Sequence, residues 1–174
     1  MIIRPASESD APAMGRLMVE TFLRAHKGQI PDGAWQDRQE EWTWEVSAAG
    51  WSRSIREIAD GSSPKDCVYL VVNEEAGEAQ EQVAGLVMGG PAETGPWEEA
   101  GEIYALYVRY GCQRCSLGRK LVQAAVRQLR RWGMNRLVIR SLAGNEPANQ
   151  FYESLGVYAC YTRTLTWKPP GTGC

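Results

Sequence analysis

Residues 102–132 change their hydrophobic period once, and this change constrains the fold more than any other feature. Glu102–Arg109, "EIYALYVR", is rich in β-branched and aromatic residues and predicts a strand. Ser116–Trp132 repeats its apolar residues at helical spacing and predicts a helix. A strand that runs through a short turn into a helix favours an α/β fold in which the helix crosses over the sheet.

The rest of the chain supplies shorter elements separated by glycine, proline and charged turns. Strands are predicted over Met1–Ala6, Cys67–Asn73, Gln82–Gly90, 136–142 and 157–167, and helices through about Ala25, over Ala34–Ala59 as one or two helices, and over 145–156. The order is β-α-α-β-β-β-α-β-α-β, an α/β chain (α+β mixed sheet) whose central strands are antiparallel. We expect one domain over residues 1–168 and a flexible C-terminal tail at 169–174.

Composition excludes several classes of protein. No run of about 18 apolar residues is present, which argues against a membrane-spanning helix. The first residues, "MIIRPASESDAP", lack the apolar segment of a signal peptide, so we expect a cytoplasmic protein. Cys112 and Cys115 form a C-x-x-C pair, but the chain has one histidine and no second pair, so we expect reduced thiols and no metal site.

Charge is segregated along the chain. Residues 66–108 carry nine acidic side chains and no Lys or Arg, whereas residues 109–140 carry nine Lys or Arg and no acid. The basic stretch contains the turn before the predicted helix, and backbone N–H groups at a helix N-terminus bind anions. Ser116 and Gly118 are small enough for a ligand to approach the backbone, so the turn predicts a pyrophosphate site.

Two segments resemble motifs of the Gcn5-related N-acetyltransferases (GNAT), which transfer an acyl group from acyl-coenzyme A to an amine. The family's Gln/Arg-x-x-Gly-x-Gly/Ala turn is similar to residues 113–118, "QRCSLG". Its Asn-x-x-Ala-x-x-Phe-Tyr-Glu-x-x-Gly-Phe segment is similar to residues 145–157, "NEPANQFYESLGV". This chain departs from the family's pattern at Tyr110, Arg114 and Ser116, and a side chain at position 116 would be strained if that position needs a positive φ.

The resemblance implies roles for individual residues and acetyl-CoA (coenzyme A) as cofactor. The residues implied in cofactor binding are Leu106, Val108, Gln113, Arg114, Cys115, Ser116, Leu117, Gly118, Arg119 and Asn145. Tyr152 is implied as the acid that protonates the leaving thiolate. Glu102 is the predicted base that makes the amine neutral, directly or through water, with Glu98, Glu99 and His26 as weaker candidates.

The resemblance implies a small-molecule amine acceptor that binds between the first helical region and the central loops. That region has four tryptophans between residues 35 and 51, which together with the acidic stretch indicate an acceptor that is cationic and has an apolar part. A protein lysine or N-terminal acetyltransferase and a non-catalytic acyl-CoA sensor are alternatives. The basic stretch would also suit a nucleic-acid binder, but the net charge of −2 argues against nucleic acid. We expect no membrane partner, and a monomer or a homodimer.

Overall fold

The structure is a computed structural model of the 174-residue chain, and it describes residues 1–29, 31–73, 75, 83–92 and 99–157. The strands are β1 (Ile2–Pro5), β2 (Cys67–Val72), β3 (Val83–Pro91), β4 (Ala100–Val108) and β5 (Arg136–Ile139). The α-helices are α1 (Ala11–Ala25), α2 (Asp32–Glu41), α3 (Trp44–Ala59), α4 (Leu117–Arg131) and α5 (Glu146–Ser154). Short 3-10 helices cover Glu8–Asp10 and Tyr110–Cys112.

The five strands form one sheet in the order β1-β2-β3-β4-β5. The pairs from β1 to β4 are antiparallel, and β4 pairs with β5 in parallel. The parallel pair needs a crossover connection, and α4 supplies it. The mixed α/β sheet predicted from the sequence is therefore confirmed.

The sheet has a helical layer on each face. Side chains of α1 and α3 pack with one face of β2 and β3 around fully buried Met14, Leu17, Leu70 and Leu86. Side chains of α4 pack on the other face, where Val71, Val87 and Leu121 are almost completely buried. The predicted apolar stripe of α4 thus faces the sheet.

Strand β4 contains a bulge at Tyr104. Gly89 pairs with Ile103 and Met88 pairs with Ala105, so the register of the ladder skips Tyr104. The bulge directly follows the last β4–β5 pair, Ile103 with Ile139. A bulge bends its strand and increases the local twist. Residues 104–108 of β4 therefore continue beyond the part of the sheet that β5 extends.

Most predicted elements are found at the predicted places. The region from Ala34 onward is two helices, as one of the two alternatives expected, with Thr43 accepting from the Val46 N–H at the start of α3. The register of β2 and β3 also shifts between Val71, which pairs with Gly85, and Val72, which pairs with Val83. The predicted strand at 157–167 and the tail at 169–174 fall almost entirely outside the described residues. Within the described ranges, no helix is long and apolar enough to cross a membrane.

Candidate functional site

The carboxyl-terminal half of β4 borders an opening in the sheet. β5 pairs only with Ala100–Ile103, while β4 continues to Val108. Within the part of the chain that the structure describes, the edge of residues 104–108 on the β5 side has no strand partner. Leu106 and Val108, two of the predicted cofactor contacts, lie on this edge and are half-buried. An extended ligand could pair with such an edge through main-chain hydrogen bonds.

The turn after β4 leads into α4 with a left-handed residue. Ser116 is the N-cap and has φ 60° and ψ 8°, so the position that departs from the family's glycine does need a positive φ. No side chain caps α4, and no acidic residue lies in its first turn. Arg119 and Lys120 follow on the exposed side. The helix therefore presents uncapped backbone donors in a positive environment.

The three residues before Ser116 have exposed side chains and determine the conformation of the turn. Gln113, Arg114 and Cys115 are exposed, and Arg114 is a second left-handed residue with φ 62°. Gln113 Nε2 donates to the Val108 carbonyl over 3.1 Å and ties the turn to the end of β4. The structure brings residues 113–118 together with Leu106 and Val108 at one end of the sheet.

Helix α5 packs against the start of α4. A Cβ atom at Gly118 would lie 3.2 Å from the Phe151 ring, so the small residue at 118 makes room for α5. Arg119 Nη2 donates to the Ser154 carbonyl over 3.2 Å. These two contacts connect the predicted anion turn with the helix that carries Tyr152. Asn145, another predicted cofactor contact, is the N-cap of α5 and is half-buried.

Two phenols lie close together beside the opening. Burial raises the pKa of Tyr152 to about 12. Burial also raises the pKa of Tyr107 on β4, and the neighbouring Tyr152 adds to this effect. Both side chains therefore hold their protons at neutral pH and can donate hydrogen bonds.

Glu102 is buried and paired with a cation. Its side chain is 5% exposed, and both of its oxygens accept from Arg140 Nη1, over 2.6 and 2.7 Å. Glu102 lies in the stretch of β4 that still pairs with β5, opposite Val138. Arg140 directly follows β5, so the ion pair joins the two strands just before they part. Of the weaker base candidates, Glu99 is exposed and Glu98 lies outside the described residues.

His26 is the C-cap of α1 and is 9% exposed. Its ring centroid lies 4.4 Å from that of Phe22. The large tryptophan content is mostly structural: Trp42 and Trp51 are buried, and Arg16 lies 3.5 Å from the ring centroid of Trp44. Trp35 is half-buried on α2.

The cysteines among the described residues are free thiols. Cys67 is buried, Cys112 is half-buried and Cys115 is exposed. Burial raises the pKa of Cys67 to about 12, which makes it an inert thiol at neutral pH. Within the described ranges, no three His, Cys, Asp or Glu side chains are placed to hold a metal ion.

Sequence reasoning missed Arg140 and Tyr107 as parts of this site. Arg140 lies 38 residues from Glu102 in the chain, and nothing local in the sequence signals their pairing. Tyr107 could have been found, because it alternates with Leu106 and Val108 and therefore points to the opposite face of β4.

The model of the acetyltransferase (GNAT) family matches residues 32–157. No curated protein matches the chain. Among solved structures, the fold is similar to PaiA N-acetyltransferase from Thermoplasma acidophilum in complex with coenzyme A, with a TM-score of 0.67, 14% identity, and coverage of 88% of this chain and 87% of that one.

Two further structures share the fold. One is aminoglycoside antibiotic 6'-N-acetyltransferase from Acinetobacter haemolyticus, with a TM-score of 0.64, 15% identity, and coverage of 97% of this chain and 99% of that one. The other is glucosamine-6-phosphate N-acetyltransferase from Arabidopsis thaliana, with a TM-score of 0.60, 15% identity, and coverage of 95% and 97%. Acetyl-CoA is the acyl donor of this family. Because the family match covers most of the chain, the protein belongs to the GNAT acetyltransferase family.

Proposed function

We propose that the protein transfers an acetyl group from acetyl-CoA to a primary amine of a small molecule, by direct attack of the amine. The observation that carries this proposal is the arrangement at the carboxyl end of β4. A strand edge that no described strand pairs with, a basic helix N-terminus without a side-chain cap and two half-buried phenols lie at the same end of the sheet. The names of two proteins with this fold, which refer to aminoglycoside and glucosamine-6-phosphate acceptors, support a small acceptor here too.

The residues present fit acetyl-CoA. The first turn of α4 has free backbone donors and no acid to repel a diphosphate. Residues 113–118 with Arg119 would hold that diphosphate, and the edge at Leu106 and Val108 would pair with the amide groups of the pantetheine arm. Asn145 would contact the donor from the side of α5. When bound, acetyl-CoA supplies an activated thioester, so no covalent enzyme nucleophile is needed.

Tyr152 is the proposed acid. Its pKa of about 12 keeps the phenol protonated throughout the physiological range. A thiol has a pKa of about 8.5, so proton transfer from this phenol to a free thiolate is uphill, and the phenol donates to the departing sulfur as negative charge builds there. Glu102 remains a predicted base that would act through water, and its variant serves as a comparison below.

The test is consumption of acetyl-CoA with a panel of amines and lysine peptides, followed by release of free thiol. We expect turnover with small amines and little with peptides. Preferred turnover of a peptide would instead favour the protein acetyltransferase. Binding of coenzyme A without turnover of any acceptor would favour the sensor.

Tyr152→Phe tests the acid directly. We expect kcat to fall about 10²-fold, because a positioned proton donor contributes roughly that much, while the Kd of coenzyme A changes little. Arg119→Ala is the complementary variant and should raise the Kd of coenzyme A. An unchanged kcat for Tyr152→Phe would remove Tyr152 from the acid role.

A further inference from the structure

The segment from Arg24 to Gln29 spans the opening between β4 and β5. At one end, the Arg24 guanidinium carbon lies 3.3 Å from the ring centroid of Tyr110, two residues past the end of β4. At the other end, a Cβ atom at Gly144 would lie 3.6 Å from Gln29 Oε1, and Gly144 lies between β5 and α5. The residues between these two anchors therefore cross the open edge of the sheet.

His26 lies in the middle of the segment from Arg24 to Gln29. The tautomer of its ring is set by Gln29. Gln29 Nε2 donates to the Ala25 carbonyl over 2.9 Å, which fixes the orientation of the amide. Gln29 Oε1 then faces His26 Nδ1 at 3.5 Å. A carbonyl oxygen only accepts hydrogen bonds, so Nδ1 carries the hydrogen and Nε2 carries the basic lone pair.

The environment of the ring keeps it neutral. Burial lowers the pKa of His26, although the hydrogen bond to Gln29 opposes this effect. Around it, Phe22 and Trp42 form an apolar wall with centroids 4.9 Å apart. The nearby charged and titratable groups are directed elsewhere: Arg24 to Tyr110, Arg38 to the Trp42 ring, and Lys27 to solvent, while Tyr107 packs against the same apolar cluster.

The basic nitrogen is available for a ligand. No described residue forms a hydrogen bond with His26 Nε2. Among the described residues, Trp51 Nε1 is the fully buried side-chain nitrogen or oxygen without a hydrogen-bond partner, and His26 Nε2 is not such an atom. Glu102, by contrast, uses both oxygens for Arg140 and lies where β4 and β5 are still paired. His26 therefore differs from Glu102 in two ways: it lies in the segment that crosses the opening, and its Nε2 can accept a hydrogen bond from a ligand.

We propose that His26 Nε2 accepts the proton of the acceptor amine during transfer, an inference that rests on the proposed function. As the N–C bond forms and the C–S bond breaks, His26 takes one proton from the amine nitrogen, and Tyr152 gives one proton to the sulfur. The proton then returns from His26 to Tyr152 through water, so the enzyme is regenerated. An acceptor that arrives as an ammonium ion first releases one additional proton to solvent.

The single histidine makes a direct test practicable, because the chain gives one set of imidazole signals. Nitrogen NMR of the full-length protein should show the tautomer with hydrogen on Nδ1, titrating below the usual histidine pKa. The Nε2 signal should move when a turned-over amine is added. Hydrogen on Nε2 instead, or an Nε2 signal that no such amine moves, would overturn the assignment.

Kinetics give the second readout. His26→Asn keeps an amide donor for Gln29 but lacks the basic nitrogen, and we expect kcat/KM to fall about 10²-fold at pH 7. The deficit should shrink toward pH 9, where hydroxide can accept the proton in place of His26, and added imidazole should restore activity to His26→Ala. Lys27→Gln, an exposed neighbour, is the matched control and should behave as wild type.

The outcomes separate the two claims. If wild type consumes no acetyl-CoA with any amine, the proposed function fails. If wild type turns over and His26→Asn matches it, or loses the same factor at every pH, only the role of His26 is contradicted. Glu102→Gln is the comparison: a pH-dependent deficit there, with none in His26→Asn, would assign the base to Glu102.

Discussion

Among single residues, Ser116 is the most informative departure from the family's motif. From the sequence, a side chain at this position is expected to be strained if the position needs a positive φ. The sequence does not say whether φ is positive. The angle depends on how the turn is held between β4 and α4, and the structure gives φ 60°. The family's glycine is therefore explained by backbone conformation.

Two substitutions at position 116 test this strain. Ser116→Gly and Ser116→Ala both remove the hydroxyl and differ only in Cβ. Because left-handed geometry costs a non-glycine residue about 1 kcal/mol or more, we expect the glycine variant to have the higher free energy of unfolding, by about 1 kcal/mol. Urea denaturation measures the difference. A more stable alanine variant would indicate an ordinary right-handed position.

At the element scale, the contact between α1 and α3 depends on one glycine. A Cβ atom at Gly15 would lie 2.5 Å from the Trp44 carbonyl oxygen and 2.7 Å from the Ala48 nitrogen. We expect Gly15→Ala to lower the free energy of unfolding by about 1–3 kcal/mol, because two helix backbones must move apart. Thermal and urea denaturation provide the measurement.

Gly50 is the matched control on α3. A Cβ atom there would have no neighbour within 4 Å. Gly50→Ala should raise stability by about 0.5–1 kcal/mol, since alanine favours the helix interior over glycine. Equal effects of the two substitutions would mean that helix propensity alone, and not close packing, explains Gly15.

Secondary-structure elements could be predicted where their hydrophobic pattern is local. Parts of the site that depend on contacts between residues distant in the chain could not. The strand, turn and helix of residues 102–132 are encoded by adjacent hydrophobic periods, so their order and approximate bounds could be predicted. The bulge at Tyr104 depends on the register with β3, and the Glu102–Arg140 pair joins residues 38 apart in the chain. The His26–Gln29 pair spans three residues, and a histidine at a helix end followed by glutamine was a signal within reach.

At the scale of the whole molecule, stability should depend on pH through the one histidine. The pKa of His26 is lowered in the folded state, so the unfolded chain binds a proton more readily below about pH 6.5. The contribution is fully present above that pH and is lost as the pH falls toward the folded pKa. We expect wild type to lose more stability between about pH 6.5 and 5 than His26→Asn. Parallel curves for the two proteins would contradict a buried neutral imidazole.

The proposed donor site lies at one end of the sheet. There α4 begins, β4 continues beyond its last pair with β5, and α5 packs against the start of α4. The most direct measurement is amide hydrogen exchange of the full-length protein with and without saturating coenzyme A. We expect slower exchange in residues 113–119 and along residues 104–108 of β4. Unchanged exchange in the turn before α4, with protection elsewhere or none at all, would contradict it.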